Sequence, residues 1–236
     1  MTPRYRPFGD AALIVEFGET VDRALAEAVL ALDRAVAERP PPGLIETAPS
    51  FRSLLVRFEP LETDAAAVEA ALRALAPRPQ AAAGRLWRLP CCYDPELGLD
   101  LEETAERAGL SPEAAARRHA EAEHFAFMIG FLPGAPYLGG LPQELDAPRR
   151  RDPRTRVPAG SVAIAVGLTT IYPVESPGGW HVLGRTPAPL FDPGRDPPAL
   201  LAPGDRVRFE PVSRAEYDRL AVEPVWPAPV SPEAAT

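Results

Sequence analysis

The densest chemical feature of the sequence is a run of guanidinium groups between residues 147 and 156, Ala147-Pro148-Arg149-Arg150-Arg151-Asp152-Pro153-Arg154-Thr155-Arg156. Five arginines and one aspartate leave it at net +4, inside a chain whose formal charge is −8. Proline on either side restricts the loop, and arginine presents forked donors that match carboxylate or phosphate oxygens. The chemistry this suggests is an oxyanion pocket; the plain alternative is a solvated turn whose arginines pair with surface acids. Two Gly/Pro segments flank it: Gly130-Phe131-Leu132-Pro133-Gly134-Ala135-Pro136-Tyr137-Leu138-Gly139-Gly140 and Ser176-Pro177-Gly178-Gly179-Trp180. Glycine allows close backbone approach and proline stiffens it, as a preformed binding wall requires, although tight β turns with aromatic plugs read the same way. Neither segment has the spacing of a dinucleotide fingerprint or a P-loop. His119 and Glu123 are four apart on an expected helix, a spacing for an acid/base pair or for a core-edge histidine. No histidine, thiolate or carboxylate spacing completes a metal site. Ser161 in Ala-Gly-Ser-Val is not a nucleophile elbow.

Composition removes whole reaction classes. All 25 basic residues are arginine, against 33 acids. Without lysine there is no Schiff base, no Walker lysine and no Ser-Lys pair. The acidic balance argues against general nucleic-acid binding. Cys91 and Cys92 are the only cysteines, too few for a disulfide framework or a four-thiolate zinc site, and they read as small buried hydrophobes. Apolar runs such as Ala11 to Val15 fall far short of the roughly 20 residues a bilayer span needs, and no export signal is evident near Met1. No membrane association and a cytoplasmic location are the expectations.

The elements that must position these residues divide the chain in two. Residues 11–17 read as a strand, and Thr20 caps a helix with Val21, Leu25, Ala28, Val29, Leu32 and Val36 on one face. Strands follow over 44–47 and 51–58, then a helix capped by Thr63 with Val68, Ala71, Leu72 and Leu75, then a strand over 85–89. The order β-α-β-β-α-β is that of a ferredoxin-like fold. Residues 77–84 form a Pro/Ala/Gly hinge. Beyond it, 101–108 and 112–123 read as helices, the second with Ser111 as cap and Pro112 at its first position. Short strands over 125–131, 161–166, 170–172, 181–185 and 206–211, punctuated by some of the chain's 31 prolines, indicate a closed or sandwich-like β domain. The expected class is therefore α+β, with a ferredoxin-like domain over 1–90 and a β domain over 91–236.

The motifs Gly130-Phe131-x-Pro133-Gly134-x-Pro136-Tyr137-Leu138, Pro148-Arg149-Arg150-x-x-Pro153-Arg154, Val157-Pro158-Ala159-Gly160-Ser161-Val162, Tyr172-Pro173, Ser176-Pro177-Gly178-Gly179-Trp180, Gly184-Arg185-Thr186, Leu190-Phe191-Asp192-Pro193 and Pro203-Gly204-Asp205 stand in the chain in that order. Together they resemble the family of 5-oxoprolinase B subunits, also called KipI-like and formerly allophanate hydrolase subunit 1, a carboxyltransferase C/D-type domain. The resemblance runs from about Arg6 to Pro211 and implies that the β domain is a cyclophilin-like barrel. It also implies one component of an ATP-dependent 5-oxoprolinase, a cyclic amide hydrolase, inactive alone and working with C-like and A-like partner subunits. The implied cofactor is ATP with Mg2+, held mainly by a partner. The same family includes inhibitors of a histidine kinase, which is the alternative function. On that resemblance and on side-chain chemistry, Arg149, Arg150 and Arg154 are expected to bind the oxyanion, with His119 as acid/base. Pro133, Tyr137, Ser161, Tyr172, Gly178, Gly179 and Trp180 are expected to line the substrate pocket. The family usually has Phe where Ala135 stands, and a Thr-Gly turn where this chain has residues 165–170. Allophanate hydrolysis by a Ser-Ser-Lys amidase is excluded in a chain without lysine.

Overall fold

The computed structural model describes residues 2–75 and 84–230. The chain forms two compact units, Met1–Ala83 and Gly84–Thr236. The hinge expected over 77–84 lies outside the described residues except for Gly84.

In the first unit the elements are β1 (Arg4–Pro7), β2 (Ala12–Glu16), α1 (Arg23–Glu38), β3 (Leu44–Pro49), β4 (Ser53–Phe58) and α2 (Ala65–Ala74). The strands form one antiparallel sheet in the order β1-β2-β4-β3. Alternation puts Leu13, Val15, Leu54, Val56 and Phe58 on one face, where Leu25, Val29, Leu32 and Val36 of α1 and Val68 and Leu72 of α2 cover them. The helix starts are set by Asp22, whose carboxylate accepts from the amides of Ala24 and Leu25, and by Asp64, which accepts from Ala67, rather than by Thr20 and Thr63. The sheet is the expected ferredoxin-like one with a change at its edge. Its fourth strand is β1, from the start of the chain, not the segment 85–89. Arg4, Arg6 and Pro7 leave β1 mostly exposed, and only Tyr5 packs partly on the core, so no hydrophobic alternation announces it.

The segment 85–89 belongs to the second unit, as part of β5 (Leu86–Cys91). After it come α3 (Leu101–Ala108), α4 (Pro112–Glu121), β6 (His124–Ile129), β7 (Pro136–Gly139), a 3-10 turn over Gln143–Leu145, β8 (Arg154–Val157), β9 (Ser161–Ala165), β10 (Leu168–Ile171), β11 (Ser176–Gly178), β12 (His181–Arg185), β13 (Arg206–Pro211) and α5 (Arg214–Val222). Seven strands form a sheet in the order β12-β9-β10-β7-β6-β13-β5, with β8 and β11 as a separate ribbon. β5 and β13 run parallel from Leu86–Arg206 to Cys91–Pro211, which takes β5 into this sheet. The sheet closes on itself where Cys92 and Arg185 exchange backbone hydrogen bonds of 2.8 and 2.9 Å. At that seam Gly184 is obligatory, because a Cβ there would stand 2.7 Å from the Cys92 carbonyl oxygen. Trp87, Leu89, Cys91, Leu138, Val162, Ile171, Val207 and Phe209 share the core, and Ile164 and Leu183 point away from it onto Leu101 and Ala105 of α3 and Ala115 and Ala116 of α4.

The Pro203-Gly204-Asp205 motif serves this architecture. Asp205, 4% exposed, accepts from Trp87 Nε1 (2.9 Å), Arg85 Nη2 (2.9 Å) and the Ala202 amide (3.0 Å), tying the turn to β5. Among the described residues no helix is long and apolar enough to cross a membrane.

Candidate functional site: an aromatic pocket with one unpaired guanidinium

On β7 and β10 the paired residues Leu138 and Thr169 and the paired residues Tyr137 and Thr170 point to opposite faces. Leu138 enters the barrel core, while Tyr137 and Thr170 form the floor of a cavity of about 110 Å³ on the other face. The loop after β6, with Phe131, Leu132 and Ala135, makes one wall, and Gly178, Gly179 and Trp180 make the other. Tyr172 and Arg149 complete the lining. The Tyr137 and Trp180 rings meet edge to face at 5.8 Å. Gly178 is required by its neighbour, since a Cβ there would overlap the Tyr172 hydroxyl. Burial and the neighbouring Tyr137 push the Tyr172 phenol up, with Arg149 opposing them, so the hydroxyl stays protonated and able to donate. On the rim, Phe131 holds φ at 70° with its side chain 71% exposed, an uncommon backbone conformation for a bulky residue.

Arg149 is the cation of this pocket. Its guanidinium carbon lies 6.0 Å from the Trp180 ring centroid, and it has no carboxylate partner among the described residues. Arg150 and Arg154, expected beside it, are committed elsewhere. Arg150 Nη1 donates to Asp100 at 2.7 Å, and Arg154 donates to both Asp100 oxygens at 2.7 and 2.8 Å. Asp100 is 3% exposed and also accepts from the Val182 amide at 2.7 Å. Burial pushes its pKa up, but the Arg154 and Val182 hydrogen bonds and the two guanidinium charges outweigh that and hold the carboxyl below its usual range. Neither Arg150 nor Arg154 lines the cavity. Sequence reasoning missed Asp100, whose position just before α3 reads as an ordinary helix cap.

His119 is also corrected. Its ring is fully buried, with Nδ1 2.8 Å from the Tyr93 hydroxyl, Nε2 3.2 Å from Thr169 Oγ1, and one face stacked on Phe209 at 4.9 Å. Thr169 faces the barrel interior, so His119 is on the opposite side of the sheet from the pocket. Burial, reinforced by His124, lowers its pKa well below the usual value and keeps it neutral. Nor do His119 and Glu123 form a pair: α4 ends at Glu121, and Glu123 binds Arg206 and Arg208. Ser161 is buried in β9 and Pro133 sits exposed on the loop; neither lines the cavity. Tyr137, Tyr172, Gly178, Gly179, Trp180 and Arg149 do converge there. The residues missed in the expected lining, Phe131, Leu132, Ala135, Thr170 and Ile171, lie within or beside the motifs already singled out.

Asp100, Glu103 and His181 place potential ligand atoms within 4.8 Å of one another. Two guanidinium groups already occupy the Asp100 carboxylate, and Arg150 also lies 3.9 Å from Glu103, so the acids of the cluster serve arginine in this structure; His181 donates from Nε2 to the Pro148 carbonyl at 3.0 Å.

Comparison with known proteins agrees with this architecture. The model of the carboxyltransferase domain, subdomain C and D, matches residues 3–201. The chain is similar to the 5-oxoprolinase B subunit of Bacillus subtilis, 39% identical over 233 residues that cover 92% of this chain and 97% of the relative. It is also similar to the 5-oxoprolinase B subunit of Escherichia coli O157:H7, 37% identical over 86% of this chain and 93% of the relative. The crystal structure of TTHA0988 superposes with a TM-score of 0.78 at 37% identity, covering 86% of this chain but only 40% of that longer one. With the barrel, its ordered motifs and these near-full-length matches together, the chain belongs to the carboxyltransferase subdomain C and D family that includes the 5-oxoprolinase B subunits.

Proposed function

We propose that the chain is the B subunit of an ATP-dependent 5-oxoprolinase, an assembly that converts 5-oxoproline, ATP and water to glutamate, ADP and phosphate. What carries the reading is the near-full-length match to two proteins of that name. The pocket supports it chemically. 5-Oxoproline is a flat five-membered lactam with one carboxylate; Trp180, Tyr137 and Tyr172 offer faces and edges for the ring, and Arg149 offers a forked donor for the carboxylate. The Tyr172 hydroxyl is a donor within the same cavity for the lactam oxygen.

The pocket does not fit a nucleoside triphosphate. Its volume is about 110 Å³, it holds one guanidinium, and the chain has no lysine. We therefore assign ATP and its Mg2+ to the partner subunits, and to this chain the recognition and orientation of the small substrate. C-like and A-like 5-oxoprolinase subunits are the partners in this reading, and the assembly works in the cytoplasm, where ATP is supplied. The test is reconstitution: the chain alone should form no glutamate, and the three components together should form it only when ATP and 5-oxoproline are both present. A complete, folded complex that leaves 5-oxoproline intact would overturn the substrate assignment. A kinase-inhibitor role has no observation of its own in its favour.

A further inference from the structure

Among the five arginines of the 147–156 run, Arg149 alone lines the cavity, and the residues on both sides of it are pinned. The Pro148 carbonyl accepts from His181 Nε2 at 3.0 Å. The Arg150 amide donates to the Gly179 carbonyl at 2.8 Å, and the Arg150 side chain reaches Asp100. Arg154, at the start of β8, is gripped by the same carboxylate through two nitrogens. Asp100 is itself fixed to β12, through its amide to the Val182 carbonyl at 2.8 Å and its carboxylate to the Val182 amide. Since His181 and Val182 are consecutive residues of β12, one short piece of rigid barrel anchors the loop on both sides of Arg149.

We propose that Asp100, acting through Arg150 and Arg154, is a positioning residue that sets Arg149 over Trp180 as a receptor for a single small carboxylate. The arrangement solves a specific problem. Three guanidinium groups converging on one cavity would repel one another and favour a polyanion. With two of them drawn onto a buried carboxylate, and Arg150 also 3.9 Å from Glu103, the pocket faces its ligand with one cation and apolar walls, which suits a monoanion with an uncharged ring. Only the identity of that carboxylate rests on the 5-oxoprolinase reading.

The test is site-resolved arginine modification of the full-length chain by phenylglyoxal, followed by peptide mass spectrometry. Arg149 should react in the native protein while Arg150 and Arg154 are spared. A saturating concentration of 5-oxoproline should slow Arg149 modification at least about fivefold, and the neutral lactam 2-pyrrolidinone should not. If acetate protects Arg149 and 5-oxoproline does not, the receptor stands and the substrate reading falls. If no carboxylate protects it, the receptor itself is overturned. For the positioning role, Asp100→Asn should raise the half-protecting carboxylate concentration about tenfold at a temperature where Trp fluorescence shows a folded barrel. Arg150→Gln, which leaves the Arg154–Asp100 pair in place, is the milder second variant and should raise it severalfold. Undiminished protection in either folded variant reduces Asp100 to a purely structural anchor.

Discussion

Replacing Asp100 with asparagine removes one negative charge from beneath two positive ones. Four hydrogen bonds converge on the carboxylate, from Arg150 Nη1, Arg154 Nη1 and Nη2, and the Val182 amide, at 2.7 to 2.8 Å. Asparagine keeps one acceptor oxygen and turns an NH2 donor toward guanidinium donors. Breaking a buried ion pair from one side costs about 3–5 kcal/mol when the remaining charge is fully enclosed. The Arg150 and Arg154 side chains keep 25% and 23% of their exposure, so water recovers part of that, and about 3 kcal/mol is expected. For a unit of this size that lowers Tm by roughly 6–12 °C. Trp87, Trp180 and Trp226 are the chain's only tryptophans and all lie in the second unit, so intrinsic fluorescence during heating or urea titration follows that unit. Because the folded-state pKa of Asp100 is depressed, its contribution is present above the unfolded carboxyl value and lost as pH falls through the folded one. The gap between wild type and variant should therefore narrow below about pH 4. Arg156→Gln is the control, since its exposed ion pair with Glu175 should leave Tm unchanged. A loss below about 0.5 kcal/mol in Asp100→Asn would refute the account of the clamp as a buried, mutually dependent group.

His124 is 0% exposed and its pKa falls to about 4 through burial, so the unfolded chain binds its proton first. Stability should be full above about pH 6.5 and decline on the order of 3 kcal/mol by pH 4, with a flatter urea-midpoint profile in His124→Asn; an unchanged profile rejects a buried neutral ring. Cys91 and Cys92 are 0% and 1% exposed, and burial raises both thiols, so a thiol reagent should label neither until denaturant is added. Fast labelling of the native chain would mean that the β5–β12 seam opens. Glutamate, with a second carboxylate and an ammonium group that the pocket leaves unpaired, should protect Arg149 at least tenfold more weakly than 5-oxoproline; equal protection would contradict a receptor built for one charge.

Much of the second unit is legible because its elements carry their own punctuation. Ser111 and Pro112 announce α4, where the Ser111 hydroxyl accepts from Ala114 as a cap should, and β9, β12 and β13 bury unbroken or alternating apolar positions. What escaped lacks a local signal. β7, β8 and β11 are three or four residues long and rich in Pro, Gly or Arg, and α5 buries none of its residues. The strand over 85–89 is readable as a strand, but its partner β13 lies some 120 residues further on, so its domain is not. The same division holds at the pocket. Glycine and aromatic residues mark its walls in the sequence, whereas the choice among Arg149, Arg150 and Arg154 depends on Asp100, about 50 residues away, which only the folded chain brings to them. His119 misleads for the converse reason: a helix position beside charged residues looks solvent-facing until Phe209 and Thr169 enclose it.

The Cys92–Arg185 hydrogen bonds carry a further consequence for how this protein meets its neighbours. They tie the two ends of the seven-stranded sheet at one point and, with the Asp100–Val182 and Val230–Leu86 backbone contacts, occupy part of the borders at β12 and β5 onto which another chain could add a strand. The four-stranded sheet keeps two such borders, at β1 and β3, and they are unlike. β1 carries Arg4 and Arg6, charges that discourage strand addition, whereas β3, which also ends at a proline, presents Ile45 at 50% exposure. Of the two borders of the four-stranded sheet, β3 is thus the one more open to a foreign strand, whether productive in assembly or harmful in aggregation.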